Sequence, residues 1–150
     1  MTTAPPDGIQ RLHVACVHCN AVNRLPSERR ADDPICARCA KPLLDGRVAT
    51  LTDADFDAIV SRTELPTLVD FWAPWCGPCR AMAPQLERAA ATLKGDVRVA
   101  KLNSDESLRL AQRYELRTIP TIILFERGQP RRRHSGALQA SEIVQFARRA

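Results

Sequence analysis

The spacing of apolar residues changes at Asp45–Gly46. Before this point prolines are frequent and no long periodic apolar pattern occurs. After it, short apolar runs typical of buried strands alternate with segments whose apolar residues recur every three or four positions, as in amphipathic helices. The pattern therefore predicts two regions, residues 1–45 and residues 46–150, and makes the second an α/β domain.

The second region predicts nine elements in the order β-α-β-α-β-α-β-β-α. The predicted strands are residues 47–51, 67–72, 97–102, 120–126 and 131–135. The predicted helices are residues 52–60 with Thr52 as N-cap, 79–94, 104–114 and 139–149. The second strand is almost wholly apolar, which indicates burial on both faces, and the arginine-rich last strand is expected at an edge. This order implies a mixed sheet with helices on both faces.

Composition and charge narrow the functional classes. The 150 residues are 45% hydrophobic and 26% charged, which is ordinary for a globular protein. No run of about 18 apolar residues occurs, and the N-terminus lacks the apolar core of a signal peptide, so we expect a cytoplasmic protein without a membrane partner. The net charge of +5 comes largely from arginine clusters. Because no aromatic residues interleave with these clusters, they favour a solvated basic surface over nucleic-acid binding.

All six cysteines belong to C-x-x-C pairs. The cytoplasm keeps thiols reduced, so such pairs bind metal or catalyse more often than they form structural disulfides. Sixteen residues separate Cys16 and Cys19 from Cys36 and Cys39, a spacing typical of a four-cysteine zinc site. A segment this small buries apolar surface worth only about 3–5 kcal/mol, whereas structural zinc contributes about 10–16 kcal/mol, so the ion should fold it. Two disulfides, an iron–sulfur cluster and His18 as a ligand remain alternatives.

The third pair, Cys76 and Cys79, lies in the sequence WCGPC between a predicted buried strand and a predicted helix. Unpaired N–H groups and the helix dipole stabilise a thiolate at a helix N-terminus, which makes it a better nucleophile. Pro78 suits the first helical turn, and Gly77 leaves room for another backbone. We therefore expect an exposed, attacking Cys76 and a sheltered, resolving Cys79. A permanent disulfide and a metal clip are the alternatives.

Four stretches of the second region resemble the thioredoxin family in order and spacing, namely LVDFWAPWCGPCR, VAKLNSDES, RTIPTIILF and SGAL. With the two N-terminal cysteine pairs, the whole chain resembles the zinc-containing thioredoxin 2 subfamily of bacteria. The resemblance implies a thioredoxin fold over residues 46–150, preceded by a small zinc-ribbon-like domain at residues 1–45. It also implies protein-disulfide reductase activity with one structural zinc ion. No bound nucleotide is expected, since no G-x-G-x-x-G follows a predicted strand.

The resemblance further implies a proton-transfer role for Asp70, a charged residue within a predicted buried strand. Burial raises the pKa of a carboxyl, which suits a group that exchanges a proton with Cys79. Lys101 is implied as the neighbour of Asp70. An outward-facing Asp70 and a surface Lys101 are the alternatives.

A docking surface for the substrate is implied around the dithiol. The Ile119–Pro120 peptide bond should be cis and face the dithiol, with the nearby backbone pairing with substrate. Trp75 should belong to this surface, and Trp72 should be more buried. Thr118 replaces the glycine or other small residue frequent in the family, which leaves substrate preference open. The other implied docking residues are Gly77, Pro78, Gly136 and Ala137.

The implied partners are disulfide-containing proteins and an NADPH-dependent thioredoxin reductase, and we expect a monomer. Two other functions stay open. One is a redox-regulated binding module or holdase, in which oxidation strips the zinc and exposes apolar surface. The other is a zinc ribbon that delivers the reductase to nucleic acid.

Overall fold

The computed structural model describes residues 8–148. Its strands are β1 (Arg11–Ala15), β2 (Val22–Pro26), β3 (Ala49–Leu51), β4 (Thr67–Trp72), β5 (Arg98–Asn103), β6 (Thr121–Glu126) and β7 (Gln129–Ser135). Its α-helices are α1 (Phe56–Ser61), α2 (Gly77–Thr92), α3 (Leu108–Arg113) and α4 (Ala140–Arg148). Two 3-10 turns cover Ser27–Arg29 and Ser104–Glu106. Within this part of the chain, no helix has both the length and the apolar content needed to cross a membrane.

Strands β3 to β7 form one mixed sheet in the order β3-β5-β4-β6-β7. Strand β5 pairs in parallel with β3 and β4, whereas β6 is antiparallel to both β4 and β7. Strand β4 is central, and five of its six residues are buried, because it receives a helix on each face. The predicted order, the mixed sheet and the arginine-rich edge strand are thus confirmed.

Alternate strand residues face two separate cores, as the period of a strand requires. On one face α1 and α3 cover a cluster in which four aromatic rings pack with centroids 5.3–6.3 Å apart. These rings belong to Phe56, Phe71, Tyr114 and Phe125. On the other face α2 and α4 cover a mainly aliphatic cluster. Helices packed on both faces of the sheet hold β4 in place, and the dithiol follows directly after this strand.

The predicted helices have different limits in the structure. Helix α2 covers Gly77–Thr92 rather than residues 79–94, and α4 begins at Ala140 rather than at residue 139. Helix α1 begins at Phe56 rather than at Thr52, whose backbone N–H donates to Asp55 Oδ1 at 2.8 Å across a turn. The predicted helix 104–114 is divided into a 3-10 turn and α3, because Ser107 has non-helical dihedrals (φ −145°, ψ 68°). The last residue of the predicted helix 139–149 lies outside the described residues.

The N-terminal region forms the antiparallel β1–β2 hairpin, which the apolar pattern did not predict. It packs directly on the larger region: Ala15 belongs to the core under α1, and Val14 packs in a cluster with Leu43, Leu44 and Leu65. Ion pairs also join the regions, as between Lys94 and Asp33 at 2.5 Å. The two regions therefore share buried surface, and their division at residue 45 stays a prediction.

Candidate functional site

The dithiol pair lies between the end of β4 and the start of α2. Cys76 is the N-cap of α2, and its Sγ accepts a hydrogen bond from the Cys79 backbone N–H at 3.2 Å. Pro78 occupies the first turn of the helix, where a missing N–H breaks no helical bond. Cys76 and Cys79 are joined by a disulfide, with their Cα atoms 5.3 Å apart. The structure therefore shows this pair in its oxidised form.

The predicted contrast between an exposed Cys76 and a sheltered Cys79 is wrong for this oxidised form. Cys76 is 4% exposed and Cys79 is 2% exposed. Both pack in a small cluster with Ala73, against the partly buried Trp72 and Ile119. Burial of Cys76 thus comes from its packing in this cluster.

The loop before β6 faces the disulfide. The Ile119–Pro120 peptide bond is cis, as predicted. The Ile119 carbonyl oxygen lies 3.7 Å from Cys76 Sγ. The Gly136 backbone N–H donates to the Pro120 carbonyl at 2.8 Å, with Gly136 at a φ of +107° that favours glycine. The structure thus brings this loop, Gly136 and the dithiol together at one surface.

An exposed aromatic side chain borders this surface. Trp75 is 69% exposed, and its Nε1–H donates to Asp105 Oδ2 at 2.7 Å. That bond ties the loop before α2 to the 3-10 turn after β5, and the sequence analysis did not single out Asp105. Trp72 is only partly exposed. Other exposed positions at this surface are Gly77, Pro78, Thr118, Gly136 and Ala137.

Asp70 lies on the central strand β4 behind the disulfide. It is 4% exposed, and its Oδ1 has no hydrogen-bond partner among residues 8–148. Burial raises the pKa of its carboxyl to about 7, against a lowering effect of Lys101, which is its register partner on β5. A cavity of about 130 Å³ is lined by Asp70, Lys101 and Cys79. A carboxyl that titrates near neutral pH therefore shares one cavity with the second cysteine.

The other four cysteines form a candidate metal centre. The Sγ atoms of Cys16, Cys19, Cys36 and Cys39 all lie within 4.8 Å of one another. Two of the separations are 3.7 Å and 3.6 Å. A tetrahedral zinc ion with Zn–S distances of about 2.3 Å has sulfur–sulfur separations of about 3.8 Å, so the four sulfurs fit zinc. None of the four forms a disulfide, and His18 is not in the cluster.

The two cysteine pairs lie in loops with the same backbone geometry. The Cys16 carbonyl accepts a hydrogen bond of 2.8 Å from the backbone N–H of Asn20, and the Cys36 carbonyl accepts one of the same length from Ala40. Both donors have left-handed backbone dihedrals, with φ of 66° and 63°. The backbone N–H groups of His18 and Arg38 donate to the sulfurs of Cys16 and Cys36 at 3.4 Å. Such N–H···S bonds support thiolates and orient them toward an ion.

Asn23 also supports the candidate metal centre, and the sequence analysis did not single it out. Its Nδ2 donates to Cys36 Sγ at 3.4 Å, and its Oδ1 accepts from the Ala37 backbone N–H at 2.8 Å. The bond from Asn23 is the main cause that lowers the pKa of the Cys36 thiol to about 6. Asn23 is buried on the same face of β2 as Leu25, and a lone asparagine at such a position gives no periodic signal that could have marked it.

Comparisons with known proteins cover both regions. Residues 47–149 match the family model described as "Thioredoxin", and residues 15–41 match one described as "Thioredoxin 2, N-terminal". The chain is 36% identical to Thioredoxin C-3 of Corynebacterium nephridii over 89% of this chain and 91% of that protein. It is 39% identical to a chloroplastic M-type thioredoxin of Chlamydomonas reinhardtii over 81% of this chain and 89% of that protein. A crystal structure of chloroplastic thioredoxin z matches with a TM-score of 0.62 at 30% identity, over 67% of this chain and 91% of that one.

Proposed function

The chain belongs to the thioredoxin family and is a thioredoxin-type protein-disulfide reductase, and we propose that it acts through a mixed disulfide between Cys76 and its substrate. It also carries the N-terminal zinc-ribbon domain with four close cysteines. The observation that supports the mechanism best is the cavity shared by Asp70 and Cys79 behind the disulfide. It gives the second cysteine a proton acceptor that is separate from the docking side.

In the reduced protein, the Cys76 thiolate attacks one sulfur of a disulfide in a partner protein. A bond forms between Cys76 and that sulfur, the partner's disulfide breaks, and the other partner sulfur leaves as a thiolate that takes up a proton. The N-cap position of Cys76 favours the attacking thiolate, because the Cys79 backbone N–H in the first turn of α2 donates to its sulfur. We infer that the partner backbone docks beside Ile119 and Pro120, at the surface bordered by Trp75.

In the second step Cys79 loses its proton to the Asp70 carboxylate and attacks Cys76 Sγ. The Cys76–Cys79 disulfide forms, the bond to the partner breaks, and the partner leaves with its second sulfur as a thiolate. Two electrons have then passed from this protein to the partner. A carboxyl with a pKa of about 7 is suited to this exchange near neutral pH, since it can both take and return a proton.

We propose that Cys16, Cys19, Cys36 and Cys39 hold one structural zinc ion. When bound, zinc would supply the link that closes the hairpin and the second loop into one unit. With all four positions taken by thiolates, no site is left open for chemistry at the ion. The chain's own contribution is the set of N–H···S bonds that orient the sulfurs.

We further propose that an NADPH-dependent thioredoxin reductase returns the Cys76–Cys79 disulfide to the dithiol. The expected location is the cytoplasm, where thiols elsewhere on the chain stay reduced. We keep the division into residues 1–45 for metal binding and residues 46–150 for disulfide reduction as part of this proposal.

Insulin reduction with dithiothreitol as electron source tests the mechanism. We expect Cys79→Ser to lose activity in this assay. When the reduced variant is freed of dithiothreitol and then mixed with insulin, it should accumulate a mixed disulfide that is visible on a non-reducing gel. Its matched control, Cys76→Ser, should lose activity without forming that adduct, because the attacking sulfur is missing. A Cys79→Ser protein that reduces insulin at the wild-type rate would contradict the proposal and favour a pure binding module.

A further inference from the structure

Arg98, the first residue of β5, carries a charge buried between the two regions of the protein. Its side chain is 5% exposed. Its Nη1 donates to Thr63 Oγ1 and its Nη2 donates to the Leu43 carbonyl, each at 3.1 Å. An arginine remains charged at neutral pH even when burial lowers its pKa, which here falls to about 10. A buried charge is costly unless an opposite charge lies near it.

The groups that act electrostatically on Arg98 come from residues 1–45. Within residues 8–148 no carboxylate forms an ion pair with Arg98. Cys16 and Asp45, both within residues 1–45, are the groups that act on the Arg98 guanidinium through electrostatic interaction. Arg98 also lines a cavity of about 440 Å³ together with Val17 and His18, which lie between the first two cysteines. One zinc ion with four thiolates carries a net charge of about −2, which the guanidinium would partly balance.

Arg98 also holds the backbone on both sides of the four cysteines. On one side it binds the carbonyl of Leu43, which follows the second cysteine pair. On the other side it binds Thr63, whose Oγ1 accepts from the Ala15 backbone N–H at 3.2 Å, directly before Cys16. The Thr63 hydroxyl donates in turn to Ile59 on α1 at 2.7 Å. One side chain from the sheet thus reaches both ends of the metal-binding segment.

We propose that Arg98 is a positioning residue of the zinc centre, supplied by the thioredoxin domain rather than by the zinc ribbon. It holds the backbone before the first cysteine pair through Thr63 and the backbone after the second pair through the Leu43 carbonyl. The proposal rests on the zinc ion proposed above. It means that residues 1–45 alone do not contain the complete metal site.

The test begins with the zinc content of the full-length wild-type protein. A value of one zinc per chain is expected; a chain purified and refolded with zinc that binds none would overturn the proposed zinc ion itself. Competition with a chromophoric chelator then gives zinc affinity in wild type, Arg98→Met and Arg98→Lys. We expect Arg98→Met to lose about 10–100-fold in affinity, as residues that orient metal ligands commonly do. Arg98→Lys should lose less zinc affinity, since lysine keeps the charge but cannot donate to both Thr63 and Leu43 as the guanidinium does.

Two controls separate this role from general destabilisation. Arg88→Met removes an exposed arginine from α2 and should keep wild-type zinc affinity. Leu124→Ala weakens the buried core under α2 and α4, away from the metal segment, and should lower stability without changing zinc affinity. If Arg98→Met does not fold, the folded Arg98→Lys protein decides the result. Wild-type zinc affinity in a folded Arg98 variant would overturn the inference and leave the zinc site and reductase mechanism standing.

Discussion

Replacing Asp70 with asparagine should stabilise the oxidised protein, and the gain should grow as the pH rises. Burial raises the pKa of the Asp70 carboxyl from its ordinary value of 3.8 to about 7. Between these values the folded protein keeps a proton that the unfolded chain has already released. The free energy of unfolding of the wild type therefore falls as the pH rises through this range, and it becomes constant once Asp70 is ionised in both states.

The size of this effect follows from the two pKa values. For each pH unit between the two pKa values, the free energy of unfolding falls by about 1.36 kcal/mol. Above pH 7 the wild type has therefore lost about 4 kcal/mol of stability. Asparagine has nearly the same shape as a protonated carboxyl and cannot ionise, so it removes the pH-dependent part. Low pH would also protonate cysteine ligands of the proposed zinc ion, so the pH range for comparing the two proteins starts at about 5.5. From there to about pH 8.5, the advantage of Asp70→Asn should increase by about 2 kcal/mol.

Urea unfolding, followed by tryptophan fluorescence on the oxidised proteins, measures this difference at each pH. Both tryptophans, Trp72 and Trp75, lie beside the dithiol and report on its domain. Glu106→Gln is the matched control, since it removes one exposed carboxylate and should reproduce the wild-type pH profile. If the wild-type and Asp70→Asn free energies stay parallel from acid to alkaline pH, Asp70 does not titrate as we infer.

Two further substitutions test the surroundings of the dithiol. Lys101→Met removes the charge that lowers the pKa of Asp70. In the same urea series, the free energy of unfolding of this variant should therefore keep falling to a higher pH than that of the wild type. An unchanged pH profile would exclude this coupling. Trp75→Ala removes an exposed ring and its bond to Asp105, so the KM for insulin should rise about tenfold with little change in kcat or in the urea midpoint. An unchanged KM would place substrate docking elsewhere.

Strands β4 and β6 were predictable because their apolar runs are continuous and bounded by turns. All six predicted positions of β4, residues 67–72, form the strand, and most of them are buried. The observed limits of a helix differ from the predicted ones where a polar residue has non-helical dihedrals, as Ser107 does before α3. The β1–β2 hairpin was missed because β1 buries only its last two residues and β2 buries Asn23 next to exposed arginine. Neither strand has an apolar face that a single sequence reveals.

The cysteines could be assigned from the sequence because each pair is local and its spacing reflects the geometry of its sulfurs. Partners of these groups could not be assigned in the same way, since strand register or loop packing brings them together. Lys101 meets Asp70 only because β4 and β5 pair in parallel with that register. Asn23 supports Cys36 only because the second cysteine loop folds back over the hairpin.

Arg98 shows how these two kinds of information combine. A charged residue at the start of a strand is ordinarily a surface residue, and the sequence alone gives no reason to place it in the interior. If the four cysteines hold the proposed zinc ion, the burial of Arg98 becomes understandable, because an anionic metal site would reduce the cost of burying the guanidinium. The guanidinium belongs to the sheet domain, whereas the Leu43 carbonyl that it binds belongs to residues 1–45. This bond joins the two regions together with the shared buried surface at Ala15 and the ion pair between Lys94 and Asp33.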